Sequence, residues 1–162
     1  MGIKDKLLAV LVVMIWGFNF VVIRWGIETV HPMVMTMLRF ILTAFPMILF
    51  VKKPDVPMKF VVLYGTLFGA AVWGLVNFAV FYGMPAGMAS LLLQLSPFLS
   101  VIAATVFFNE RVTRVKFLGI VIALTGFILV CRNKADHLNL LNIGLMLVAA
   151  LFWTVCNMII KY

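Results

Sequence analysis

FVVLYGTLFGAAVWGLVNFAVFYGMPAGMASLLLQLSPFLSVIAATVFFN, Phe60 to Asn109, runs for 50 residues without Asp, Glu, Lys or Arg. As one helix it would extend roughly 75 Å at ~1.5 Å per residue, against a hydrocarbon slab of about 30 Å. The stretch therefore has to turn back on itself. Gly83-Met84-Pro85-Ala86-Gly87 is the place, because glycine ends a helix and proline starts one. Two apolar helices joined by that turn set the fold class: all-α, a polytopic transmembrane helical bundle.

The rest of the chain agrees. Hydrophobic residues make up 65% of it, where soluble domains hold roughly half. Eleven Met and 15 Phe in 162 residues are too much apolar surface to hide, and 13 basic and 5 acidic side chains are too few to coat an outside. The net charge of +8 raises nucleic acid as a partner. The basic residues, however, lie in short clusters between apolar runs, where membrane topology puts them. The partner implied is the lipid bilayer, not nucleic acid. The first apolar run follows Lys4 and Lys6 and lacks a small-x-small cleavage site, so it reads as a span and not a signal peptide. Cys131 and Cys156 form no CxxC and no metal pattern, and no cofactor is implied.

Charges and punctuation divide the chain into six helices at about 7–25, 32–51, 59–82, 86–108, 115–132 and 139–161. The loops are short, so sequence neighbours are expected to run antiparallel. With the N-terminus in the cytoplasm, Lys4, Lys6, Lys52, Lys53, Lys59, Arg111, Arg114, Lys116 and Lys161 fall inside, and Arg24, Arg132 and Lys134 outside. Nine against three predicts an N-terminus inside.

A shift of 137 residues (153 − 16) lays the sixth helix over the first: Trp16 on Trp153, Ile23 on Ile160 and Arg24 on Lys161, with Asn19 one position from Asn157. A repeat of five helices is odd, so a second copy enters the membrane from the opposite side, an inverted repeat of the kind secondary transporters use. Residues 1–135 then form a first repeat and 136–162 the first helix of a second. The expected complete protein has ten helices, and this chain reads as its front part.

Trp16-Gly17-Phe18-Asn19-Phe20, Leu38-Arg39-Phe40, and the run from Tyr82 to Leu91 continuing through Gln94 and Pro97 to Asn109-Glu110-Arg111 resemble the EamA repeat of the drug/metabolite transporter superfamily. The resemblance covers the whole chain. It implies two inverted five-helix repeats with a substrate cavity between them and export by alternating access from a bacterial inner membrane. The solutes it implies are amino-acid-like, of the cysteine and O-acetylserine class.

Arg39 is the sharpest site candidate. A charge at the centre of a lipid-facing helix costs about 2.5–3.5 kcal/mol, and no predicted span holds an acid to pair with it. Arg39 therefore either faces a wet cavity, where it can attract a substrate carboxylate, or snorkels to the outer interface. Trp16 and Trp73 lie mid-helix, away from the interfaces Trp favours; each is either core packing or a cavity wall. Asn19, Asn77, Gln94 and Asn157 each put an amide in a different helix. Such groups either tie helices together or converge on one polar path, Asn19, Asn77 and Gln94 orienting a zwitterion. Pro46 and Pro97 break the backbone ladder of their helices, either as static bends or as hinges beside a cavity, and Glu110 closes the fourth helix as a candidate gate. Gly65-x3-Gly69 and Gly119-x3-Ala123 read as close-packing faces.

Enzyme chemistry finds no support, because no predicted span holds a Ser–His pair, paired Asp or an HExxH helix. Drive by an intramembrane proton carrier would need an acid or His within a span, and every Asp, Glu and His lies at or beyond a predicted helix end. The competing reading is a membrane remnant or interaction subunit that does not transport; a homodimer, or further helices after residue 162, would complete a carrier. The orientation is directly testable. Alkaline phosphatase fused in the Gly83–Gly87 turn is expected to be active, and the same fusion after Lys52 inactive; the reverse pattern inverts the topology.

Overall fold

The computed structural model describes residues 2–52, 55–109, 112–133 and 139–161. Among them six helices form and no strand: α1 Ile3–Ile27, α2 Pro32–Ile48, α3 Met58–Phe81, α4 Ala86–Phe108, α5 Arg114–Asn133 and α6 Leu140–Lys161. Four of these, α1, α3, α4 and the α6 stretch Leu140–Ile160, are long and apolar enough to cross a membrane. Helix α2 is shorter than the sequence predicts. It stops two residues after Pro46, and its 17 residues reach only about 26 Å. The chain is a multi-pass membrane protein with its outside apolar: Ile3, Phe50 and Leu140 are each more than three-quarters exposed, a surface that lipid and not water accommodates.

Local chemistry ends and starts each helix. The Gly2 N–H donates to Asp5 Oδ2 at 2.8 Å in the first turn of α1. His31 caps α2, its Nδ1 accepting from the Met33 N–H at 3.3 Å, with Pro32 in the first helical position, where the missing N–H costs nothing. Thr113 Oγ1 accepts from Lys116 N at 3.3 Å and Asn139 Oδ1 from Leu141 N at 3.1 Å. The α3–α4 turn is built where the sequence places it. The Met84 N–H reaches the Ala79 carbonyl at 3.0 Å and the Gly83 N–H the Val80 carbonyl at 3.1 Å, the paired bonds of a Schellman ending. Gly83 has φ +94°, which L side chains resist, and Met84 behind it is fully buried.

Two helices are irregular, both for local reasons. In α3 a π segment covers Thr66–Val72. In α4 the helix breaks at Gln94, between Ala86–Leu93 and Leu95–Phe108. Pro97 has no N–H for the Leu93 carbonyl and its ring crowds that oxygen, so the expected kink falls one turn ahead of the proline.

The bundle centres on α6, which lies against α3 and α4. Apolar packing combines Ile23 and Ile27 of α1, Val72, Val76 and Val80 of α3, Leu92 of α4, and Met146 and Ala149 of α6. Polar ties add to it: Thr154 Oγ1 shares its proton between the Ala150 carbonyl at 2.9 Å and the Ser96 carbonyl at 3.3 Å, and Asn157 Nδ2 donates to Ser100 Oγ at 2.9 Å. At Gly26 of α1 a side chain would meet the Met35 thioether of α2 at 2.6 Å. Among the described residues, the small-residue stripe of α5 has no close partner at Gly119. Gly119 has no atom within 4 Å of where a Cβ would stand, and most of α5 is exposed. Such spacings are common in apolar helices, so the expectation of close packing fails there.

Gly83→Ala is expected to cost about 1–2 kcal/mol through the positive φ. It should lower the thermal unfolding midpoint in detergent, whereas Gly87→Ala, with open space around its Cβ, should leave that midpoint unchanged or slightly raised.

Candidate functional site

Arg39 sits on α2 facing α3. Its guanidinium carbon lies 4.0 Å from the centre of the Trp73 ring, and Trp73 is 5% exposed. The side chain thus turns into the bundle and does not snorkel. A cation on an indole face, out of water, gains about 2 kcal/mol, much of the cost of holding a charge at that depth. The remainder is left open: Nη1 is buried with no hydrogen-bond partner. No carboxylate is placed to take it, since among the described residues the one ion pair is Arg24 Nε to Glu28 Oε1 at 3.0 Å, exposed at the end of α1.

Trp73 belongs to an aromatic cluster centred on Trp153 of α6. The Trp153 ring lies 5.6 Å from Trp16, 6.0 Å from Trp73 and 5.4 Å from Phe68, centre to centre. Phe68 stacks on Tyr64 at 5.5 Å and meets Trp73 edge-on at 6.3 Å, and Phe20 of α1 reaches Trp73 at 6.3 Å. The π segment makes this possible. In an α-helix residues five apart, such as Phe68 and Trp73, point about 140° away from each other. Bonding from i to i+5 winds the backbone more loosely and brings them onto one face.

One turn from Arg39, Thr36 and Asn77 join the same two helices. Asn77 Nδ2 donates to Thr36 Oγ1 at 2.7 Å, and Thr36 Oγ1 donates to the Pro32 carbonyl at 2.9 Å. Asn77 is fully buried and its Oδ1 has no partner. A third orphan, Asn142 Oδ1, is left where Asn142 Nδ2 donates to the Tyr82 carbonyl at 3.1 Å. An open groove of about 650 Å³ runs between α2 and α3 along Thr36, Phe40 and Gly69.

The sequence candidates fall into two groups. Arg39, Trp73 and Asn77 share the α2–α3 seam. Trp16 and Gln94 instead line a second open groove of about 450 Å³ between α1 and α4, with Ser90. Asn19 is half-buried and joins neither lining. Pro46 lies inside α2 two residues before its end, α4 breaks three residues ahead of Pro97, and Glu110 lies outside the described residues. Thr36, Phe68, Asn142 and Trp153 escaped the sequence reading as site residues. A hydroxyl three residues before an intramembrane Arg was a usable signal for Thr36. The π winding that recruits Phe68 left none.

A protein of Escherichia coli strain K12 named "Probable amino-acid metabolite efflux pump" is 37% identical over 163 residues, covering 99% of this chain and 54% of that protein. Its namesake in Salmonella typhimurium matches over the same share, also at 37% identity, and an uncharacterized transporter of Archaeoglobus fulgidus is 28% identical over 153 residues. The chain thus spans about half the length of the curated relatives it matches. No solved structure gives a significant match. The EamA-like transporter family matches residues 5–132, and with the helical membrane bundle already described, the chain belongs to that family of transporters and is not an enzyme.

Proposed function

We propose that this chain supplies the first repeat, residues 1–135, and the opening helix of an inverted second repeat, residues 136–162, of an inner-membrane exporter for amino-acid-like solutes, N-terminus in the cytoplasm. The observation that carries the reading is Arg39 Nη1, a buried cationic donor with no partner, held on the face of Trp73. An unpaired buried donor is costly, and a solute carboxylate relieves that cost with the geometry a guanidinium prefers. The relatives named for amino-acid metabolite efflux support the solute class, with cysteine and O-acetylserine as the first candidates.

The meeting of Trp16 with Trp153 supports the repeat. These two are equivalent under the 137-residue shift (153 − 16), and equivalent residues of two copies related by a two-fold axis touch only beside that axis. Transport then follows from rocking of one repeat against the other about a site near the midplane, with the Trp16–Trp153 contact close to the pivot. Solute released from Arg39 leaves the donor bare again, which favours uptake of the next carboxylate.

Export of labelled cysteine and O-acetylserine from cells tests the reading, with the chain compared alone and extended to ten helices. Arg39→Gln is expected to lower export about tenfold or more, the worth of one charged hydrogen bond, while membrane abundance stays within about twofold. Arg39→Lys, which keeps the charge but not the planar fork, should fall between. Parallel loss of export and abundance in both variants would mean that Arg39 only holds the helices together.

A further inference from the structure

We infer that the α2–α3 seam reads the free ammonium of its solute as well as the carboxylate, with Asn77 Oδ1 as the ammonium acceptor. The site then selects α-amino acids with an unmodified amino group over their N-acylated forms. The inference rests on the Arg39 reading and adds a second subsite to it.

Three facts place that acceptor. First, hydrogen-bond chemistry orients the Asn77 amide. Thr36 has one hydroxyl proton, and it goes to the Pro32 carbonyl at 2.9 Å. Thr36 Oγ1 is then left to accept, so the amide presents Nδ2 to it, at 2.7 Å, and Oδ1 faces away. Second, Oδ1 is out of reach of solvent and bonded to nothing, on a side chain that is itself 0% exposed. A buried carbonyl oxygen without a donor is a standing cost of about 1–3 kcal/mol. Third, helix periodicity sets its distance from the guanidinium. Thr36 and Arg39 are three apart on α2, and Trp73 and Asn77 are four apart on α3, so each pair shares a face. The contacts Arg39–Trp73 and Thr36–Asn77 are therefore consecutive rungs between antiparallel helices, roughly 5 Å apart along the seam.

A cationic donor and a neutral acceptor, both unpaired and one rung apart, are the complement of a carboxylate and an ammonium on one carbon. No acid is needed for the ammonium. The Trp73 face is taken by Arg39, and an amide oxygen accepts an N⁺–H without adding a second charge to the membrane interior. The open groove along Thr36, Phe40 and Gly69 borders the seam at Thr36. N-acylation removes the positive charge and puts a bulky planar group where the seam is closed.

O-Acetylserine and N-acetylserine test this, because they are isomers with the same carboxylate and differ in whether the amino group is free. The measurement is displacement of labelled O-acetylserine from the purified full chain in proteoliposomes, in mildly acidic buffer where the O-acetyl isomer persists. The wild-type chain is expected to bind O-acetylserine at least about tenfold more tightly than N-acetylserine. Asn77→Leu should bring the ratio close to one by weakening the O-acetyl isomer alone. Asn77→Asp, which keeps an acceptor, should hold or raise the ratio, and it stands as the second variant if Asn77→Leu fails to fold. Equal binding of the two isomers by the wild-type chain, or an undiminished ratio in folded Asn77→Leu, overturns the ammonium subsite. If Arg39→Gln still weakens both isomers in that case, the carboxylate reading survives. If Arg39→Gln changes neither, or the wild-type chain binds neither, both readings fall together.

Discussion

Hydrocarbon offers no water to a polar group that lacks a partner, and that one constraint arranges this bundle. Each buried amide or hydroxyl has to find another helix or its own backbone. The outcome is a set of cross-ties: Asn77 to Thr36, Asn142 to the Tyr82 carbonyl, Thr154 to the Ser96 carbonyl, Asn157 to Ser100. Each joins residues 41 or more positions apart in sequence. Interhelical bonds of this kind are worth about 0.6 kcal/mol on average, so their weight lies less in energy than in registration. They fix the rotation of α2 on α3 and of α6 on α3 and α4, and apolar packing alone would tolerate small slides.

Against that accounting, the unpaired atoms stand out. Among the described residues, Arg39 Nη1, Asn77 Oδ1 and Asn142 Oδ1 are buried and without a partner. Two of the three lie in one seam, one donor and one acceptor. The aromatic cluster around Trp153 sets the floor of that seam. Trp73 carries the guanidinium on one face and packs against Trp153 at 6.0 Å, so α6 touches the ring that holds Arg39. A movement of α6 against α3 would therefore reach Arg39 through a single side chain.

The irregularities of α3 and α4 fall beside these features. The π segment Thr66–Val72 spends a regular hydrogen-bond ladder to align Phe68 with Trp73, and helical deviations of this type are frequent at functional sites. The break at Gln94 falls where that residue lines the α1–α4 groove together with Trp16. The two grooves are separate, so of the two readings of the amides, ties between helices or convergence on one polar path, Asn77 and Gln94 do not meet the second.

Much of this architecture was written in the order of residues. The charge-free run from Phe60 to Asn109, the Gly83–Pro85 turn and the basic clusters determine a helical membrane bundle and its helix count, because desolvation of charge and the special dihedrals of Gly and Pro act locally. The likeness of the Trp16 and Trp153 neighbourhoods was legible for the same reason, as was the isolation of Arg39 from any acid. Tertiary structure decided what those residues face. Arg39 inward on Trp73 rather than outward to the interface, Asn77 with Arg39 but Gln94 with Trp16, and Phe68 and Asn142 in the polar and aromatic interior all depend on helix rotation. Rotation follows from packing summed over many weak contacts between distant segments and, in α3, from one turn of π winding, and neither leaves a mark at any single position of the chain.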